Sequence, residues 1–176
     1  MIQKKICMVG PPSVGKTSLV ARYVHSLFSD KYLSTVGVKI DKKPLQVDGR
    51  DVTLMLWDLA GDDEFQPLKL SYLRGAAGYL LVADGSRRAT LDHAMELHAL
   101  VTKAVGAIPF VLVLNKADLV NSWELDETRI ASLTAQGWTI RRTSAAEGSG
   151  VDAVFEDLAR STLANGRGKT SGATPP

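Results

Sequence analysis

A glycine-rich segment near the start of the chain has the residue types and spacing of a phosphate-binding loop. Two glycines are separated by four residues and followed by lysine and threonine, in the order Gly10, Pro11, Pro12, Ser13, Val14, Gly15, Lys16 and Thr17. Glycine permits the bend through which backbone N–H groups converge on phosphate oxygens, and a following helix adds the positive end of its dipole. Lys16 would pair with the outer phosphates and Thr17 would bind Mg²⁺, with Ser18 next in the same contact set. A plain glycine turn is the alternative, but the segment lies between a predicted strand and a predicted helix, which favours phosphate binding.

A second polar segment follows a short apolar run and consists of Asn115, Lys116, Ala117 and Asp118. The Asp118 carboxylate can accept hydrogen bonds from the ring N–H and the exocyclic amine of guanine. Adenine has no matching pair of donors and would leave the carboxylate buried without a partner, so this residue favours guanine. Such a string is more often a solvated turn when it occurs alone. Together with residues 10–17, it indicates a guanine-nucleotide site with Asn115, Lys116 and Asp118 as contacts.

Three further residues would complete a site for a nucleoside triphosphate. Asp58 ends another apolar run and can hold Mg²⁺ through a water, and Gly61 lets its backbone N–H reach the terminal phosphate. Thr35, between the first predicted helix and the next strand, offers a hydroxyl to the same ion. An aspartate before a glycine turn carries no such meaning alone, so this interpretation depends on the phosphate-binding loop. We predict a Mg²⁺ site made by Thr17, Thr35 and Asp58.

These segments together resemble the small GTPases of the Ras superfamily, and the Rab branch in particular. The similarity covers residues 2 to about 163. Residues 28–38 and 57–61 resemble the two switch segments of that branch, residues 71–76 resemble the helix that follows, and residues 143–145 match the last guanine-contacting loop. The resemblance implies a switch that binds GTP or GDP with Mg²⁺ and hydrolyses GTP slowly. It also implies effectors, exchange factors and GTPase-activating proteins as partners, bound through the switch segments and a hairpin.

The resemblance also assigns roles to single residues. It implies that Phe28 packs against the guanine ring and that the Ala145 backbone N–H contacts the base oxygen, with Ser144 and Ala146 in the same loop. Trp57, between the switches, is a candidate partner-binding aromatic. The residues implied in GTP hydrolysis are Lys16, Thr35, Gly61 and Asp62.

The chain departs from the family pattern at several positions. Asp62 stands where the family usually has glutamine, Ala146 stands where it usually has lysine, and Pro11 and Pro12 remove two N–H donors from the loop. Aspartate is shorter than glutamine, has no donor when ionised and adds negative charge near the γ-phosphate, so we expect slow hydrolysis. The sequence has no C-terminal cysteine, and we therefore expect no direct lipid anchor.

Two other functions compete with a slow GTPase. A GTP-binding scaffold or regulatory module with negligible hydrolysis would also accommodate Asp62 and a missing lipid anchor. A nucleotide kinase or another ATP-using phosphate-loop protein is opposed by Asp118 and by the hairpin predicted after the first helix.

Composition limits the class of protein. The 176 residues suit one domain, and 45% hydrophobic with 23% charged residues are ordinary globular values. There are 21 basic and 19 acidic residues; without the two basic residues of 164–176 the counts are equal, so no nucleic-acid partner is expected. The single cysteine, Cys7, and the absence of a long apolar run favour a cytoplasmic protein.

Hydrophobic periodicity predicts the elements that must position these residues. Strands are predicted at residues 2–9, 36–47, 52–57, 79–83, 110–114 and 139–142, and helices at residues 16–27, 91–104, 126–136 and 149–163. Strands that alternate with helices indicate an α/β fold, a six-stranded and mostly parallel sheet with helices on both faces. A turn at Asp48 and Gly49 makes one strand antiparallel, and Pro44 places that strand at an edge. Residues 1–163 are predicted to form the domain, and the Gly- and Pro-rich residues 164–176 a disordered tail.

Several polar residues carry no predicted role. Arg87 and Arg88 are interpreted as a solvated turn. His25, His93 and His98 lack the spacing of metal ligands and are interpreted as surface or interface residues. Trp123 and Trp138 are interpreted as packing residues.

Overall fold

The computed structural model describes residues 2–28, 37–63 and 66–170, which form six strands and four helices. The strands are β1 (Ile2–Val9), β2 (Val38–Val47), β3 (Arg50–Leu59), β4 (Gly78–Asp84), β5 (Phe110–Asn115) and β6 (Ile140–Arg142). The helices are α1 (Lys16–His25), α2 (Arg88–Val105), α3 (Glu127–Ala135) and α4 (Val151–Thr170). Two short 3₁₀ helices, Leu70–Leu73 and Val120–Ser122, lie in the connections.

The strands form one sheet in the order β2-β3-β1-β4-β5-β6. All neighbours pair in parallel except β2 and β3, which are antiparallel. The predicted α/β class with one antiparallel edge strand is confirmed. From β1 the chain passes through α1 to β2 and β3 on one side of β1, and then crosses to β4, β5 and β6 on the other side. The direction in which strands are added therefore reverses at β1. Open α/β sheets bind ligands at such a reversal, outside the carboxyl ends of the strands.

The hairpin that makes the antiparallel edge has the predicted turn. Asp48 and Gly49 both have left-handed backbone angles, with φ of 50° and 77°, as a tight turn between twisted strands requires. Pro44 lies in β2, whose other edge has no neighbour among the described strands. Because proline has no N–H, it is tolerated at this edge.

Two apolar cores cover the two faces of the sheet, because successive strand residues point to opposite faces. On one face, α1 and α4 meet through Tyr23 and Phe155, whose rings stack with centroids 4.1 Å apart. On the other face, α2 packs through residues such as Leu91 and Leu97, both 1% exposed. Within the described residues, no helix is both long and apolar enough to cross a membrane.

The last helix is longer than the sequence predicts. α4 begins at Val151, directly after Gly150, so its predicted start at residue 149 is two residues too early. Its predicted end at Leu163 is also wrong, since the helix continues to Thr170. Each glycine inside a helix costs only about 1 kcal/mol relative to alanine, and extending a formed helix is far easier than starting one. The glycines of this segment were therefore a weak stop signal.

His98, interpreted from the sequence as a surface or interface residue, is only partly exposed and packs into an aromatic cluster. Its ring lies 4.5 Å from the Phe110 ring and 4.7 Å from the Trp138 ring, and its Nδ1 is 2.6 Å from the Tyr79 hydroxyl. Burial in this aromatic cluster lowers the pKa of His98. The packing predicted for Trp138 is confirmed.

Candidate functional site

The segment between β1 and α1 forms a tight loop that glycine makes possible. Gly15 precedes α1 with φ of 100°, and a Cβ there would lie 2.2 Å from Nδ2 of Asn115. A Cβ on Gly10 would lie 2.5 Å from the backbone oxygen of Val82. Ser13, at φ of 63°, supplies a further left-handed residue. The two glycines of the motif are thus required by backbone angle and by close approach, as a phosphate-binding loop demands.

Lys16 is a buried cation at the first position of α1. Lys16 is only 6% exposed. Its Nζ donates to the backbone oxygens of Gly10 at 3.2 Å and Pro11 at 2.7 Å. Burial lowers the pKa of Lys16 to about 8, against the opposing charges of Asp58 and Asp62, which raise it. A desolvated ammonium suits an anionic ligand, because the ligand's negative charge favours the protonated form of the lysine.

Thr17 and Asp58 meet beside this loop. The Thr17 hydroxyl donates to Oδ2 of Asp58 at 2.6 Å, and Asp58 is 1% exposed at the end of β3. A hydroxyl and a carboxylate are hard oxygen donors of the kind that Mg²⁺ takes together with phosphates and water. Within residues 2–28, 37–63 and 66–170, there is no group of three His, Cys, Asp or Glu side chains that could hold a metal. Thr35, the third predicted ligand, lies outside the described residues.

Asn115 joins the phosphate-binding loop to the loop at residues 143–145. Its Nδ2 donates to the backbone oxygen of Val14 at 3.0 Å. Its Oδ1 accepts from the Thr143 hydroxyl at 3.0 Å and from the backbone N–H of Ala145 at 3.3 Å. One side chain, 1% exposed, therefore holds two segments that are far apart in sequence, Val14 and residues 143–145.

Asp118, the residue predicted to contact guanine, lies against the same loop. Its Oδ1 accepts from the Ser144 hydroxyl at 2.7 Å, and Ser144 is fully buried. From α1, Arg22 donates to the backbone oxygens of Ala145 at 2.8 Å and Ala146 at 2.6 Å. The loop is thereby fixed from both sides. Arg22 was not identified in the sequence, because its helical position resembles that of any solvated arginine.

Lys116 links the phosphate-binding loop to Asp84 at the end of β4. It has φ of 67°, and its Nζ donates to the backbone oxygen of Ser13 at 2.9 Å and pairs with Asp84 at 2.9 Å. Phe28 lies after α1 with 42% of its surface exposed. An exposed aromatic ring there agrees with the predicted contact to a base, which stays a prediction.

The segment after β3 rests directly on the phosphate-binding loop. A Cβ on Gly61 would lie 2.4 Å from Cα of Pro12, so only glycine fits. Asp62 donates its backbone N–H to the Gly10 oxygen at 3.2 Å. Its carboxylate accepts from the Leu68 N–H at 2.7 Å and lies 2.7 Å from Nε2 of His93. His93, interpreted from the sequence as a surface or interface residue without a predicted role, is partly exposed and pairs with Asp62.

The chain is similar in sequence to known proteins over most of its length. The model of the Ras family matches residues 5–164. Ras-related protein Rab7 from Glycine max is 38% identical over 170 residues, which cover 92% of this chain and 82% of that protein. Ras-related protein RABA5a from Arabidopsis thaliana is 35% identical over 158 residues, covering 89% and 72% of the two chains.

The chain belongs to the Ras family.

It is a Rab-like small GTPase, a switch that binds guanine nucleotide and hydrolyses GTP. The predicted family, function and enzyme class are confirmed. Family membership also implies regulators and effectors as partners.

Arg87 is a residue of this GTPase that sequence analysis misjudged. Although its side chain is 46% exposed, its Nη2 donates to the backbone oxygens of Ser13 at 2.9 Å and Pro12 at 3.3 Å. Its Nε pairs with Asp84 at 2.9 Å. Burial raises the pKa of Asp84, but hydrogen bonds from Lys116, Ser86 and Arg87 outweigh burial and hold the pKa below its ordinary value. A charged network from β4 thus braces the carbonyl side of the loop.

Arg87→Ala should speed nucleotide release from the GTPase. The substitution removes two hydrogen bonds to the loop that holds the phosphates, and we expect dissociation to rise by roughly fivefold, or about 1 kcal/mol. Release of fluorescent GDP after mixing with excess unlabelled GDP measures it. Arg88→Ala is the matched control, since Arg88 is the exposed neighbour. Equal rates in both variants would contradict a bracing role for Arg87.

Proposed function

We propose that the three loops of this GTPase hold one guanine nucleotide, with the phosphates on residues 10–17 and the base on Asp118 and Ala145. Asn115 carries this proposal, because its single side chain bonds both to Val14 and to the loop at residues 143–145. Because these two loops are adjacent, a single nucleotide could place its phosphates on the first loop and its base on the second. The Asp118 carboxylate, with one oxygen bonded to Ser144, is the acceptor that selects guanine.

Thr17 and Asp58 would hold Mg²⁺, together with Thr35. The Thr17 hydroxyl and the Asp58 carboxylate lie 2.6 Å apart, and both are oxygen donors. When bound, the ion neutralises charge on the outer phosphates. Lys16 would contribute the protein's own positive charge at the same phosphates. Because the ion adds to that charge, the site should bind GTP more tightly with Mg²⁺ than without it.

Intrinsic hydrolysis of GTP is slow in this proposal. Asp62 occupies the position of the water-orienting glutamine, yet both its carboxylate oxygens already have partners, Leu68 and His93. An ionised aspartate also cannot donate a hydrogen bond toward the transition state. Acceleration would therefore come from a partner that supplies the missing donor.

Asp62→Gln should raise the hydrolysis rate by roughly tenfold, equivalent to about 1.4 kcal/mol of barrier. Glutamine restores a side chain that accepts from the attacking water and donates toward the γ-phosphate. The measurement is a single-turnover time course of bound GTP and GDP, without partners. A lower rate in the variant would mean that Asp62 itself assists the reaction.

A GTP-binding scaffold with negligible turnover is the second candidate for the biological role, favoured by the engaged carboxylate of Asp62. The same time course separates the two. Bound GTP that persists unchanged through many hours, with the nucleotide still exchangeable, would favour the scaffold.

The proposed partner surface lies beside β2 and β3. Ile40 pairs directly with Trp57 across the two strands and is 46% exposed. The Trp57 ring contacts Tyr72 at 6.3 Å between centroids, and Leu70 nearby is 36% exposed. An apolar patch at the edge of the second switch segment suits effectors and regulators that must sense that segment.

Ile40→Asp should abolish binding of a GTP-dependent effector while nucleotide affinity stays within about twofold, because the residue is exposed and lies outside the nucleotide loops. Capture by immobilised GTP-loaded and GDP-loaded protein, followed by nucleotide titration, provides both readouts. Lys42→Asp, an exposed position on the same strand, is the control for added charge. Retained binding in the Ile40 variant would move the partner surface elsewhere.

The cytoplasm is the proposed compartment. Cys7 is fully buried, and burial raises the pKa of its thiol to about 12, so it stays an unreactive thiol. A single such cysteine suits a reducing environment. Cell fractionation with antibody detection of the chain tests this assignment.

A further inference from the structure

The backbone of Asp62 fixes this residue at the phosphate-binding loop. Its N–H donates to the Gly10 oxygen at 3.2 Å, and the preceding residue, Gly61, lies against Pro12. These contacts involve the backbone and would persist with any side chain at position 62. If the carboxylate were unrestrained here, it would add negative charge beside the outer phosphates of a bound triphosphate. Like charges in a partly buried site repel strongly.

The carboxylate is restrained instead. Oδ2 lies 2.7 Å from Nε2 of His93, and Oδ1 accepts from the backbone N–H of Leu68 at 2.7 Å. The exposed fractions are 21% for the Asp62 side chain and 31% for the His93 side chain, so the pair is only partly screened by water. Both oxygens are thereby directed to protein donors.

His93 is well placed to hold Asp62 because α2 is anchored in the core on both sides of it. Leu91 is 1% exposed and Ala94 is fully buried. The adjacent acid, Asp92, points to another partner, Arg129, at 2.6 Å. His93 is thus a fixed donor on a rigid helix, whereas Asp62 belongs to the segment between β3 and the first 3₁₀ helix.

We propose that His93 is a positioning residue for recognition of the γ-phosphate. By binding the Asp62 carboxylate against α2, it keeps that charge away from the phosphates and allows a chain with aspartate at this position to bind GTP as well as GDP. GDP lacks the γ-phosphate, so its binding does not require the restraint. The inference rests on the proposed function, in which GTP places its γ-phosphate beside Gly61.

The test compares GTP and GDP affinities of the full chain carrying His93→Leu. We expect the ratio of GTP affinity to GDP affinity to fall by roughly fivefold, the scale of a partly screened charge interaction, with GDP affinity unchanged. A slowly hydrolysed GTP analogue and GDP, each titrated with Mg²⁺ present, give the two constants. His93→Gln keeps an N–H donor and should retain most of the original ratio.

A double-mutant cycle isolates the pathway of the effect. In an Asp62→Asn background the charge is absent, so adding His93→Leu should leave the affinity ratio unchanged. His25→Leu is the matched control, because it removes another histidine–aspartate pair, that of His25 and Asp41 at 3.5 Å. Circular dichroism verifies that each variant is folded; if His93→Leu is not, His93→Asn replaces it, with a side chain too short to reach Asp62.

Each outcome is decisive. An unchanged ratio in His93→Leu, or an equal fall in the Asp62→Asn background, would overturn the proposal, since His93 would then act by packing or not at all. Loss of GDP and GTP binding to the same degree would also overturn it. If the unaltered chain bound neither nucleotide, the proposed function would fail instead, and that result is read from the unaltered chain alone.

Discussion

Asp118→Asn should reduce GTP affinity by at least a hundredfold and make xanthosine triphosphate the preferred nucleotide. The carboxylate accepts from two guanine donors, and an amide presents a donor where guanine also donates. Xanthine has a carbonyl in place of the exocyclic amine, so it can accept from the new amide. The fold should survive, because the amide oxygen of asparagine can still accept from Ser144, the present partner of Oδ1. Competition of both triphosphates against a fluorescent nucleotide measures the change.

Asp92→Asn is the control for the loss of one aspartate, since Asp92 forms an exposed ion pair with Arg129. It should bind GTP like the unaltered chain. Full GTP affinity in the Asp118 variant would show that the base lies elsewhere. Loss of both nucleotides with a lower melting temperature would indicate instead that Asp118 supports the loop at residues 143–145.

Thr17→Asn should weaken GTP binding by roughly a hundredfold, or about 2.8 kcal/mol, and GDP binding by roughly tenfold, or about 1.4 kcal/mol. The hydroxyl that donates to Asp58 at 2.6 Å would be replaced by a larger amide in a partly buried site. GTP loses more because its outer phosphates share the ion that the hydroxyl would ligate. Titration of both nucleotides at several Mg²⁺ concentrations measures the two losses.

Thr17→Ser retains the hydroxyl and should bind both nucleotides nearly normally. With Mg²⁺ removed by a chelator, the difference between GTP and GDP in the Thr17→Asn chain should largely disappear. An equal loss of both nucleotides at every Mg²⁺ concentration would point to a distorted phosphate-binding loop rather than to a lost ligand.

The sequence was sufficient to predict those parts of the site that lie in contiguous segments. Residues 10–17 and Asn115 to Asp118 were recognised because each motif follows a strand whose apolar residues are visible in the sequence. The sheet followed from the same alternation of elements, and the antiparallel edge followed from Asp48 and Gly49. Where one short stretch contains both the residue types and the geometry, the sequence is informative.

The contacts that brace the site could not be predicted in this way. Arg87 bonds to Ser13 from 74 residues away, and Arg22 reaches Ala145 across 123 residues. The sequence does not reveal these loop contacts, because each is made to a backbone carbonyl, which has no side-chain signature. Asp84, the local side-chain partner of Arg87, gives no indication that the same arginine reaches Ser13. His93 was likewise unrecognisable until the fold brought α2 beside Asp62. The prediction for Thr35 lies outside the described residues and stays a prediction.

Arg22 has a mechanical consequence for exchange of the nucleotide. α1 begins with Lys16 and Thr17 at the proposed phosphate site, and six residues further on, about 9 Å along its axis, Arg22 donates to the loop proposed to contact the base. In the proposed site, one rigid helix would therefore contact the protein segments at both ends of the nucleotide. A regulator that displaces the start of α1 would also displace the loop at residues 143–145, because Arg22 connects the two. The contacts to the phosphates and to the base would then be lost together rather than one after the other.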